Sequence, residues 1–186
     1  MNKDLLNRLN SLPKSWNDVT LNDYNKLITA GVVATEYDEE TSSIDIPLSI
    51  IATLTNTNIE ELEEISYLEI APYIQSLGWF YEVPVDAKIT LKCRDVKEIS
   101  YAEFVTFMQL KDGVYKYVNQ LLPIFYPELE GEDLNTFSIP MINGFFSTAQ
   151  RKLKKHFRTF QFSLCVAIVK KWLKEKVSKI FNRGTI

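Results

Sequence analysis

Apolar residues recur at spacings of three and four along most of the chain, which is the pattern of amphipathic helices. Several of these segments open on a capping pattern, in which a short polar residue precedes an acid by three positions. Thr20 with Asp23 and Ser100 with Glu103 are examples. The pattern predicts a bundle of short helices over residues 1–12, 20–31, 47–54, 58–65, 66–78, 100–110 and 114–122.

The periodicity changes between residues 79 and 99. The runs WFYEVPV and AKITLKC alternate and contain β-branched and aromatic residues, with Asp86 and Ala87 between them. Such alternation is typical of strands, so the segment predicts a small hairpin. We expect the hairpin to rest on the helices, because a lone two-stranded hairpin is only marginally stable in water.

The longest periodic stretch runs from about Phe145 to Asn182 and predicts one long helix bounded by Gly144 and Gly184. At roughly 100° per residue its apolar residues form two stripes on opposite sides of the helix. We therefore predict protein on both sides of it and an interface for oligomerisation or partner binding. The first stripe comprises Leu153, Phe157, Phe160, Leu164 and Ile168, and the second comprises Phe162, Val166, Val169, Leu173, Val177 and Ile180.

These elements predict a mainly α fold. Residues 1–144 form a compact helical body with a small β-hairpin at about 79–99, and residues 145–186 form one long basic amphipathic helix.

Charge is distributed unevenly between the two parts. Eleven of the 21 basic residues but only one of the 24 acidic residues, Glu175, lie from Arg151 onward. Such asymmetry indicates an acidic partner, a nucleic acid, a membrane surface, or pairing with the acidic body of the same or a neighbouring copy. The predicted basic face comprises Arg151, Lys152, Lys154, Lys155, Arg158, Lys170, Lys171 and Lys174.

Residues that would form a catalytic or cofactor site are scarce in the sequence. His156 is the single histidine, and it lies among cations with no acid nearby in sequence to orient it. Cys93 and Cys165 lack metal-ligand spacing, and the six glycines are isolated, whereas phosphate loops need clustered ones. We therefore expect no enzyme, metal or cofactor. The apolar run SLCVAIV is far shorter than the roughly 20 residues that cross a bilayer, so we expect a soluble protein without a membrane span.

Four segments in this order resemble proteins from the tail-morphogenesis region of tailed double-stranded DNA bacteriophages. The resemblance is greatest to the tail-assembly-chaperone-like family of phages with Bacteroides-type hosts. It implies no catalytic residues. It also implies a location in the virion tail or neck, and in the host cytoplasm during assembly. The segments are SWNDVTLNDYNKLI, IPLSIIATLTNTNIEELEEISYLEIAPYIQSLGWFYEVP, EISYAEFVTFMQL and PMINGFFSTAQRKL.

The resemblance and the doubly striped helix together lead to a functional hypothesis. We expect a non-enzymatic virion protein that forms a ring with copies of itself through the C-terminal helix and contacts other neck or tail proteins. One alternative is a soluble tail assembly chaperone that binds a tail protein during morphogenesis and leaves. Another is a nucleic-acid-contacting protein, because the cations are interleaved with Phe157 and Trp172, and packaged DNA could be contacted without sequence specificity.

Overall fold

A computed structural model describes residues 2–33 and 45–158 of the chain. The described residues are mainly α-helical, as predicted. The helices are α1 (Lys3–Asn10), α2 (Leu21–Thr29), α3 (Asp45–Thr55), α4 (Ile59–Glu63), α5 (Tyr67–Ser76), α6 (Tyr101–Leu110) and α7 (Val118–Phe125). A further helix, α8, is described over residues 139–158. Single 3-10 turns connect several of them, including Trp16–Asp18, Leu77–Tyr81 and Val96–Glu98.

The predicted helix starts are confirmed by their hydrogen bonds at α2 and α6. The Thr20 hydroxyl accepts from the Asp23 N–H at 3.2 Å. At α6, the Ser100 hydroxyl accepts from the Glu103 N–H at 3.2 Å, and the Glu103 carboxylate accepts from the Ser100 N–H at 2.7 Å. These bonds satisfy donors that the first helical turn leaves without partners, which is why the sequence pattern marks the boundary well.

The buried side chains form one core cluster, to which α2, α3, α7 and α8 all contribute. Two short backbone contacts bring the start of α2 to the start of α8. The Leu21 N–H donates to the Phe137 carbonyl at 2.8 Å, and the Ile139 N–H donates to the Val19 carbonyl at 3.0 Å. Side chains that are fully buried there include Leu21, Leu27, Ile50, Leu121, Leu122, Tyr126 and Phe145.

The predicted hairpin is wrong: residues 79–99 form no strand pair in the described structure. The aromatic half of the segment packs inward instead, with the Trp79 ring 5.1 Å and the Phe80 ring 5.5 Å from Trp16. The Trp79 indole N–H donates to the Pro13 carbonyl at 2.9 Å, and the Trp16 indole N–H donates to the Glu82 carbonyl at 2.7 Å. The first residues of the predicted hairpin are therefore anchored to the N-terminal segment and not to a second strand. These contacts join residues far apart in sequence, so they form only in the folded chain.

Candidate interface on the C-terminal helix

Helix α8 begins at residue 139, six residues before the predicted start at Phe145. Pro140 lies in its first turn, where the missing N–H costs no helical hydrogen bond. The Ile142 N–H donates to the Ser138 carbonyl at 3.1 Å, which closes that first turn. The helix start predicted at Phe145 is therefore wrong, because Gly144 falls inside a helix. The division into a body of residues 1–144 and a helix of residues 145–186 stays a prediction.

Residues 87–89 of the same chain pass very close to Gly144, which lies inside α8. A Cβ built at this position would clash with the carbonyl oxygen of Ala87 and lie 3.1 Å from Cδ1 of Ile89. The Ala87 N–H in turn donates to the Pro140 carbonyl at 2.8 Å. The glycine therefore serves close packing against residues 87–89, although glycine normally weakens a helix interior.

One face of α8 packs into the body of its own chain. The Phe145 and Tyr126 rings form an edge-to-face contact with their centres 4.7 Å apart. The Tyr126 hydroxyl donates to the Phe145 carbonyl at 3.1 Å. Leu153, the first residue of the predicted first stripe, is only 7% exposed. It belongs to this core and is covered by the same chain. The buried residues of this face are Ile139, Ile142, Phe145, Phe146, Ala149 and Leu153.

One turn further along, the same face meets the edge of the body. Phe157 is 42% exposed, and its ring lies 5.8 Å from that of Phe104. The two rings line a shallow groove of about 300 Å³ between α6 and α8, together with Val96, Ile99, Ser100, Tyr101 and His156. Tyr101 at the rim is 83% exposed. The groove is apolar and open to solvent along the line of the first stripe.

Four of the described cations of the predicted basic face are exposed on α8, namely Arg151, Lys154, Lys155 and Arg158, whereas Lys152 is partly buried. Arg151 Nη2 donates to the Thr148 hydroxyl at 3.0 Å, and the Lys152 ammonium donates to the Cys93 carbonyl. The ion pairs among the described residues are Lys26 with Asp23 at 3.2 Å and Arg94 with Glu103 at 2.7 Å. Within that part of the chain, Arg151, Lys154 and Arg158 therefore have no acidic partner.

The other predicted site residues lie outside the described residues. They are Phe160, Phe162, Leu164, Val166, Ile168, Val169, Leu173, Val177 and Ile180 of the stripes, and Lys170, Lys171 and Lys174 of the basic face.

Arg94 positions the wall of the groove, and no pattern in the sequence singles it out. Arg94 donates to Glu103 at 2.7 Å and to the Ile124 carbonyl at 3.5 Å, and it also donates to the Glu98 carbonyl. Hydrogen bonds from Ser100, followed by the one from Arg94, lower the pKa of Glu103 to about 2. The capping pattern identified Glu103, but no local signal paired it with Arg94, nine residues earlier.

In residues 2–33 and 45–158 no group of three His, Cys, Asp or Glu side chains is arranged to hold a metal ion. His156 lines the apolar groove, and its ring lies 6.1 Å from that of Phe157. Over the same residues, no helix has both the length and the hydropathy that crossing a membrane requires.

Comparisons with protein-family models, with curated proteins and with solved structures found no match to this chain.

Proposed function

We propose that this chain is a non-enzymatic structural subunit of a phage neck or tail, held in a ring by its C-terminal helix. The phage setting comes from the sequence resemblance, and the mode of assembly from α8. The observation on which the proposal depends is that, over residues 150–158, the body covers one side of this helix only.

The two stripes differ in their relation to the body. At 100° per residue, the buried face of Ile142, Phe145 and Leu153 points in the same direction as the first stripe. The second stripe projects to the opposite side. On that side the described turns of α8 bear Thr148 and Arg151, which are polar. On that side the body covers the first turns of α8, where Gly144 packs against residues 87–89, and it leaves Arg151 exposed before the second stripe begins.

An apolar stripe of six large residues is costly to leave in water. Burying each side chain contributes roughly 1.5 to 3 kcal/mol. A ring satisfies this need, since each subunit presents one surface to its left neighbour and a different one to its right neighbour. Arg151, Lys154 and Arg158, which have no acidic partner within the described residues, favour the acidic body of the next copy as the surface that receives the helix.

The test is light scattering of the full chain with two pairs of substitutions that add the same charge. Val166→Asp with Leu173→Asp places both carboxylates in the second stripe. Gln161→Asp with Ser163→Asp places both carboxylates at helix angles between the two stripes, at 100° per residue. We expect the first pair to reduce the assembly to a smaller species and the second pair to leave it unchanged.

Two results would contradict the proposal. A parent chain that is monomeric at all concentrations excludes a ring, and stable binding of that monomer to a tail protein supports the chaperone alternative. Equal loss of assembly in both pairs would show that added charge, and not the stripe, determines the effect.

A further inference from the structure

Residues 83–90 follow one another without a turn or a bend, beside the first turns of α8. The Ala87 N–H donates to the Pro140 carbonyl at 2.8 Å, so it faces α8. The backbone N–H and C=O groups of Asp86 and Lys88, on either side of Ala87, have no hydrogen-bond partner among the described residues. These groups are open to pairing with another segment.

The same segment exposes two large β-branched side chains. Val83 is 86% exposed and Val85 is 82% exposed. Folded proteins usually protect an open edge with charges at apolar positions, bulges or a covering element. Pro84 is the single proline here, and it removes one donor from the edge while leaving those of Asp86, Lys88 and Thr90 available.

The sequence around Ala87 is self-complementary when it is paired with a copy of itself running in the opposite direction. With Ala87 opposite Ala87, four of the five flanking pairs match in chemistry, and the fifth places Pro84 opposite Thr90. Opposite charges face each other twice on each side, and apolar residues face each other twice. The facing pairs are Glu82 with Lys92, Val83 with Leu91, Val85 with Ile89, and Asp86 with Lys88.

We propose that residues 82–92 of two copies pair as antiparallel strands about a two-fold axis at Ala87. The backbone bonds join Asp86 of one copy to Lys88 of the other, in both directions, which are the groups that the fold leaves open. The Thr90 N–H donates to the Pro84 carbonyl of the second copy. At the ends, the Glu82 carbonyl already accepts from Trp16 at 2.7 Å, so Glu82 and Lys92 meet through their side chains alone.

A second copy fits this edge better than an unrelated peptide does. The exposed valines gain the apolar neighbours Leu91 and Ile89, and the charges of Asp86 and Lys88, which form no ion pair within the described residues, gain opposite partners. The same palindrome would suit a hairpin, but the chain passes Ala87 without turning back. Self-complementarity about a two-fold axis is the property of an isologous dimer contact.

The experiment reverses the charges of one half of the segment in the full chain. Glu82→Lys with Asp86→Lys makes all four positions basic, and Lys88→Glu with Lys92→Glu makes all four acidic. Sedimentation velocity and light scattering of each variant are expected to show half the particle mass of the parent chain, with self-association weakened roughly tenfold or more. Circular dichroism confirms that each variant remains folded.

Two controls make the result specific to antiparallel self-pairing. An equimolar mixture of the basic and the acidic variant should recover the parent mass, and so should the chain with all four reversals. Unchanged mass in both separate variants, or no recovery in the mixture, overturns the proposal. This outcome is independent of the C-terminal stripe, because the substitutions that test the ring lie in residues 161–173 and leave the pairing segment unaltered.

Discussion

Replacing Glu103 by Gln is expected to weaken the fold near neutral pH and to have progressively less effect in acid. Glutamine keeps an oxygen that can accept from the Ser100 N–H, which the carboxylate now does at 2.7 Å. It loses the charge that pairs with Arg94, also at 2.7 Å. That guanidinium connects residues 94–98 to α6 and to the end of α7, so the lost charge loosens the wall of the groove.

The magnitude follows from the pKa of Glu103, which the hydrogen bonds from Ser100 and then from Arg94 lower from 4.5 to about 2. Each pKa unit corresponds to about 1.4 kcal/mol, so full linkage would give roughly 3 kcal/mol. The side chain is 34% exposed, and solvent screening reduces this value. We expect a loss of about 1 to 2 kcal/mol in the free energy of unfolding at pH 7.

The pH dependence has a defined sign. Because the pKa of Glu103 is lower in the folded chain than in the unfolded chain, the ionised group stabilises the fold above about pH 4.5. This contribution is lost as the pH falls from about 4.5 towards 2. The difference in unfolding free energy between the parent chain and Glu103→Gln should therefore shrink over the same interval.

The assay is urea unfolding followed by circular dichroism at pH 7, 5, 4 and 2.5. Glu128→Gln is the matched control, since that carboxylate is exposed and forms no hydrogen bond or ion pair within the described residues. A difference between the parent chain and Glu103→Gln that stays constant from pH 7 to pH 2.5 would refute the assignment of the stabilisation to the ionised carboxylate.

Two further predictions concern α8, and urea unfolding tests both. Gly144→Ala should lower the unfolding free energy by a net value of roughly 1 to 2 kcal/mol, because the clash with Ala87 outweighs the gain in helix propensity. The control Gly78→Ala should not lower it, because the space around Gly78 is open. A stabilised Gly144→Ala would contradict the close approach. Leu153→Ala should cost about 2 to 4 kcal/mol and Phe157→Ala less than about 1, and equal losses would contradict their different burial.

The candidate interface was predictable only in part, for a geometric reason. Periodicity identifies which residues share a face of α8, but it does not say which face the body covers. Leu153 and Phe157 belong to the same predicted stripe, yet the body buries the first and leaves the second at its edge. That distinction depends on where α6 lies in space, because Phe104 in its first turn reaches Phe157 and no other described residue closes over the groove beyond it.

Local sequence determined the helical class of this protein and most of the helix starts, because caps and 3.6-residue periodicity involve neighbours within one or two turns. Thr20 with Asp23 and Ser100 with Glu103 therefore predicted α2 and α6 correctly. Only the tertiary structure determined the conformation of residues 79–99. Strand pairing requires a partner, and in the fold Trp79 packs on Trp16, which is distant in sequence, while the segment after it lies beside α8. Contacts between residues far apart in sequence leave no periodic signal, so they emerge only when the chain is folded.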